Sequence, residues 1–193
     1  MTVPDPSRTL AYATLRTALK SQFHASLAML REPIERCPET LWDDPSPTNA
    51  FWQVAYHALF FTHLYLMPDE AAFRPWTQHR ADVQHPDGIP GPADPASPLP
   101  LIPEPYTREQ VLAYWQVVDG MVDEAVDTLD LSLPTSGFPW YRMSKLEHQF
   151  VNLRHTQHHA AQLADRLRAA ADLGTRWVGA VPAAGRTPTA DEP

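Results

Sequence analysis

Cysteine is nearly missing from this chain. Its 193 residues include one, Cys37, which excludes an intramolecular disulfide and any thiolate-rich zinc site. Basic charge is also scarce, with 15 Lys and Arg against 23 Asp and Glu and a net charge of −8. Nucleic-acid phosphates and anionic membrane surfaces both call for a clustered basic face, so neither partner is expected. Long hydrophobic runs are lacking too. The longest, Phe51 to Met67, is broken by Gln53, His57, Thr62 and His63, short of the ~20 apolar residues of a membrane span. The opening Met1-Thr-Val-Pro-Asp-Pro-Ser has no basic stretch followed by an apolar one, so no secretory signal is expected and a cytoplasmic location is. Glycine is sparse at 7 residues, with no P-loop and no Gly-x-Gly-x-x-Gly, which removes the usual phosphate cradles. A Gly-x-Ser-x-Gly nucleophile elbow is absent as well.

Proline and histidine are plentiful instead, at 21 and 9 residues. A hydrophobic content of 44% is enough for a real core, and the length suits one domain, placed at residues 1–179 with a flexible tail over 180–193. Four segments have helical periodicity. From Ser7 to Arg36, Leu15, Leu19, Phe23, Leu27, Leu30 and Ile34 recur at three- and four-residue steps; Pro33 is expected to kink or end this helix, and Pro38 to stop it. A second helix follows Pro45-Ser-Pro-Thr48 and runs to about Met67. The third opens at the capping box Thr107-Arg-Glu-Gln110. It carries Val111, Trp115, Val118, Val122, Ala125 and Leu129 on one face, and ends near Leu133-Pro134. The fourth opens at a second box, Ser144-Lys-Leu-Glu147, and ends at Leu173-Gly174 with the glycine as cap.

Residues 68–105 hold 10 of the 21 prolines, a density that builds neither a helix nor an interior strand. Four helices and one long proline-rich crossover between the second and third predict an all-α four-helix bundle.

The fourth helix contains His155-Thr-Gln-His158-His159. His155 and His159, four apart, project within about 40° of each other and can chelate one metal. His158 lies about 60° from His155 and suits a rim position; His148 returns to the same face two turns earlier. On the second helix, Ala50, Val54, Phe60, Phe61 and Leu64 all project within about 60° of His57, which puts His57 on the buried stripe and His63 off it. One inward imidazole from that helix and a pair from another form a three-nitrogen face with a coordination position left open, the pattern of catalytic zinc. Each ligand should pass its other ring nitrogen to an acceptor. The larger apolar stripe of the fourth helix (Leu146, Phe150, Leu153, Ala160 and Leu167) lies opposite His155, so this helix is expected to be buried on two sides. Thr156 follows the first histidine where a zincin has Glu, and the Glu-x-x-His repeats of di-iron bundles are missing.

With His57 on one helix and His155-x-x-His158-His159-x-x-Gln162-Leu on the last, the chain resembles the DinB-like, or YfiT-like, superfamily over roughly Ser7 to Leu173. Phe51-Trp-Gln-Val-Ala-Tyr-His57 and Ser136-Gly-Phe-Pro-Trp-Tyr-Arg-Met-Ser-Lys-Leu-Glu-His148 are similar to one uncharacterised subgroup of it. The resemblance implies an up-down-down-up four-helix bundle, usually a homodimer, holding a divalent metal on His57, His155 and His159. Characterised relatives include S-transferases and isomerases that use low-molecular-weight thiols. Ala161 departs from the glycine common at that place, and leaves the ligand pattern intact.

The function expected is therefore a metal-dependent transferase or hydrolase acting on a small molecule, with Zn²⁺ or Ni²⁺ on the three histidines; a three-nitrogen site also suits Cu or Fe. No general base stands out. Gln53, Tyr56, Trp140, Tyr141, His148 and His158 are candidates for the pocket wall, with plain packing or surface exposure the alternative for each. The competing functions are a non-catalytic, metal-stabilised dimeric module and, more remotely, a bis-histidine haem protein.

Overall fold

The structure is a computed structural model that describes residues 6–44, 49–81, 83–85 and 104–182. The described residues form five helices and no strands: α1 (Pro6–Arg36), α2 (Glu39–Trp42), α3 (Phe51–Tyr65), α4 (Arg108–Thr128) and α5 (Lys145–Ala171). The all-α expectation holds. Much of the proline-rich stretch expected as a crossover (82 and 86–103), residues 45–48 and most of the expected tail (183–193) lie outside the described residues. Residues 180–182, at the start of the expected tail, are described. The Val181 N–H reaches the Ser21 carbonyl at 3.4 Å, and the Gln22 amide donates to the Gly179 carbonyl.

The helices begin and end for local reasons. At α4, Thr107 Oγ1 accepts from the Gln110 N–H at 3.2 Å while Gln110 Oε1 accepts from the Thr107 N–H at 2.9 Å, a complete capping box. At α5, Ser144 Oγ accepts from the Glu147 N–H. Ala50 has no side-chain oxygen to cap α3, and Gln53 Oε1 reaches back to the Ala50 N–H instead.

Two boundaries differ from the sequence expectation, while α1 ends at Arg36 as its expected span does. Pro33, expected to kink or end that helix, does not end it and is buried with Ile34. It removes one backbone donor near the helix end, where the Arg31–Glu35 and Arg36–Glu32 pairs span the same turns. The third helix stops at Thr128, short of Leu133, because Asp130 Oδ1 accepts from both the N–H and the hydroxyl of Ser132, a turn that competes with helix. At the end of α5 the left-handed residue is Asp172 (φ 53°), not Gly174; its N–H closes on the Arg168 carbonyl. The short α2 was not expected. It carries Trp42 into the core, where the indole N–H donates to the Tyr106 carbonyl.

Around the core, α1 packs on α4 and α5, and α3 packs on the same two helices. Leu19, Phe23, Leu27, Leu30 and Ile34 of α1 and Val111, Trp115, Val118, Val122, Ala125 and Leu129 of the third segment are buried as their spacing predicts. Helix α3 is buried on nearly every side, as a helix apolar all round must be. That corrects the expectation for His63, which is 8% exposed and bonds through Nδ1 to the Tyr114 hydroxyl at 3.1 Å.

Candidate metal centre

The seam between α3 and α5 is polar. Thr62 and Thr156 hydroxyls meet at 2.8 Å, the Asn152 amide donates to the Thr62 carbonyl, and the Gln149 amide donates to the Tyr65 carbonyl. Gln149, Asn152 and Thr156 are fully buried, so these bonds set the register of the two helices in a place where water cannot substitute. Helix α5 contacts α1 on one side and α3 on the other, which accounts for a helix whose histidine face and apolar face are both covered. Phe150, expected on the apolar face, is 48% exposed.

That register brings three imidazoles together. The Nε2 atoms of His57 and His155 are 3.0 Å apart, those of His159 and His155 3.1 Å. One ligand atom from each of the three lies within 4.8 Å of the others. Bonds of ~2.1 Å from three nitrogens to one ion would place those nitrogens roughly 3.0–3.4 Å apart at ordinary coordination angles. Among the described residues the cluster contains these three donors and no carboxylate.

The outer contacts decide which way the lone pairs point. His57 Nδ1 is 2.7 Å from the Gln84 carbonyl. A carbonyl only accepts, so Nδ1 carries the proton and Nε2 of the neutral ring carries the lone pair. His159 Nδ1 lies 2.7 Å from Gln162 Oε1, with the same consequence. His155 Nε2 therefore faces two lone pairs, and one proton there serves both at best. Its own Nδ1 is buried with no hydrogen-bond partner. Protonating the ring is no remedy. Burial, followed by the charges of His159, His57 and His158, holds its pKa down to about 3. A cation is what this donor set lacks, and the residues present fit a divalent ion.

Next to the triad lies a cavity of about 570 Å³. Phe61, one turn beyond His57 on α3, forms part of its wall, and its ring centroid is 4.8 Å from that of His57 and 5.7 Å from that of His155. Phe60, Leu64, Tyr65, Phe73 and Trp140 make the rest of the lining mostly apolar; Glu70, Gln84 and His85 add polar groups.

Of the candidate wall residues, Trp140 does line this cavity. The others have different employment. Gln53 caps α3, and the buried Tyr56 hydroxyl bonds His79 Nδ1 at 2.6 Å. His158 is exposed, its ring 5.1 Å from that of His159. His148 is fully buried among the rings of Tyr65, Phe138 and Tyr141 at 4.7–5.0 Å, neither ring nitrogen hydrogen-bonded. It stands outside the cluster and supplies no fourth ligand. Cys37 is buried and its thiol is pushed up to about 12 by desolvation, which removes it as a nucleophile.

Sequence reasoning missed the Gln84 carbonyl, because a backbone acceptor leaves no mark in residue type. Gln162 could have been found, since it is three residues after His159 and so one turn away. The aromatic cavity wall was also legible in principle, as Phe61 and Tyr65 follow His57 at steps of four.

The sequence model of the DinB superfamily matches residues 22–163. The chain belongs to this superfamily. No curated protein and no solved structure gives a significant match.

Proposed function

We propose that this DinB-superfamily chain is a metal-dependent enzyme of the transferase or hydrolase kind, with a divalent transition metal on His57, His155 and His159. The observation that carries the reading is the forced orientation of the rings. The Gln84 carbonyl and the Gln162 side chain hold the Nδ1 protons of His57 and His159, so that their Nε2 lone pairs converge on His155 Nε2.

Zn²⁺ and Ni²⁺ are the ions we favour, since imidazole nitrogen suits both. An ion held by three protein donors keeps a position for a reactant, and its Lewis acidity draws the pKa of a thiol or a water towards neutrality. The chain's own contribution is positional. Two outer acceptors fix two rings, burial keeps His155 neutral and able to ligate, and Phe61 shields one side of the cluster. A low-molecular-weight thiol is the proposed co-reactant, and the adjoining cavity is the proposed place for a small-molecule substrate. Taken with the helix order, the packing supports an up-down-down-up four-helix bundle closed by a crossover over 68–105. A cytoplasmic homodimer is the form proposed; no helix among the described residues is long and apolar enough to cross a membrane.

The test is elemental analysis of the purified protein, paired with anomalous scattering at the site. One equivalent of metal touched by three imidazoles, with a non-protein ligand completing the shell, supports the reading. Metal in a shell closed by protein atoms alone would favour the non-catalytic module, and absence of metal rejects both.

A further inference from the structure

The cavity beside the triad has a chemical character of its own. Three phenylalanines of one cluster face it: Phe60 lies 5.3 Å from Phe61 and 5.2 Å from Phe73, both edge-on. Trp140 closes another side; its indole lies against Phe138, with ring centroids 5.6 Å apart, and the residue is still 49% exposed, a large area of indole to leave in water. Rings set edge-on present both faces and edges to a guest, the arrangement in which aromatic pairs attract.

Among the described lining residues the formal charge is a single carboxylate, with the imidazole of His85 the other ionisable side chain besides the Tyr65 phenol. Glu70 lines it and is exposed, and among the described residues its carboxylate has no cationic partner. The nearest arginine along the chain, Arg74, donates instead to the Ala71 and Phe73 carbonyls. The whole chain carries −8, so its field repels anions and draws cations. Aromatic faces reinforce that preference through their quadrupoles.

We propose that the cavity binds a small aromatic amine: a flat apolar ring system against Phe61 and Trp140, with a cationic nitrogen directed to Glu70. A ring lying against Phe61 is separated from the imidazoles of His57 and His155 by the thickness of one side chain. As a statement about binding, the proposal stands on the cavity alone; as a statement about the substrate it rests on the metal-centre reading above.

The experiment compares three probes on one ring system by isothermal titration: 2-(naphthalen-2-yl)ethylamine, naphthalen-2-ylmethanol and naphthalene-2-carboxylate. Each is titrated into the full chain as purified and after treatment with EDTA. The amine is expected to bind most tightly, the alcohol more weakly and the carboxylate least, in both preparations. Trp140→Ala should weaken the amine about tenfold through loss of one aromatic wall, and Glu70→Gln should bring the amine and the alcohol together. A carboxylate that binds as well as the amine overturns the proposal, as does an amine affinity unmoved by either substitution. Because both residues are exposed, neither change is expected to prevent folding, and circular dichroism of each variant checks this. Amine binding to protein that holds no metal as purified rejects the metal centre and leaves the cavity assignment standing; metal in the purified protein without amine binding does the reverse.

Discussion

The Nε2 atoms of His57 and His155 lie 3.0 Å apart although 98 residues separate them in the chain. Neither helix alone can make a three-nitrogen site. Replacing His155 by Ala removes the central donor, and the expected outcome is protein without stoichiometric metal after dialysis, measured by inductively coupled plasma mass spectrometry. His158→Ala should keep its metal, because that ring is exposed and meets His159 edge-on. Equal loss from both variants would mean that the pair is misassigned.

Gln162 gives a finer test. Its Oε1 holds the Nδ1 proton of His159 at 2.7 Å, and outer partners of this kind commonly contribute about 10–100-fold in metal affinity. Gln162→Leu should weaken metal binding by that order while leaving thermal stability of the metal-free protein near the parent, since the side chain is exposed. Competition with a chromophoric chelator measures the first quantity and calorimetry the second.

Acid should destabilise the metal-free protein through imidazoles buried in neutral form. Burial pushes His63 down to about 4, and burial followed by the charge of Lys145 does the same to His148. Unfolded imidazoles titrate near ~6.5. Between those values the unfolded chain binds more protons than the folded one, so stability is lost as the pH falls from about 6.5 towards 4. His148→Phe keeps the aromatic shape of the pit and removes one such group. Urea unfolding in EDTA should give stability within about 1 kcal/mol of the parent at pH 8, because no hydrogen bond is lost, and a shallower decline down to pH 5. A decline as steep as the parent's would show that His148 does not oppose folding in acid.

Gly137 is held at φ 86° with the Pro68 backbone against it, and a Cβ there would run into the Pro68 carbonyl oxygen and approach Asp69 Cα at 3.2 Å. The same knot contains the fully buried Lys145, whose Nζ donates to the carbonyls of Pro68 (2.5 Å) and Ser136. Gly137→Ala combines a left-handed backbone with a collision, so it should cost more than ~1 kcal/mol. The expected signature is a lower denaturant midpoint with an unchanged m-value.

The helices could be read from residue order because their causes are local. Leu19, Phe23, Leu27 and Leu30 repeat at the helical period, and Thr107 with Gln110 closes its own cap within four residues. His57, His155 and His159 were legible for the same reason, since a helix fixes the direction of each side chain relative to its neighbours. The outlying errors were local contests: the Asp130–Ser132 turn overrode the periodicity that favoured helix to Leu133, and Asp172 took the left-handed position ahead of Gly174.

Sequence by itself therefore settled an acidic, all-helical chain with three histidines on two helices and no other recognisable chemistry. Tertiary structure alone decided that those rings meet, that the Gln84 carbonyl turns the lone pair of His57 inward, and that His148 lies apart in an aromatic pit. Helical phase dictates which way a side chain leaves its own axis. Which axes lie side by side, and at what register, follows from long-range packing and from buried polar contacts such as Thr62 to Thr156, which no residue encodes without its distant partner.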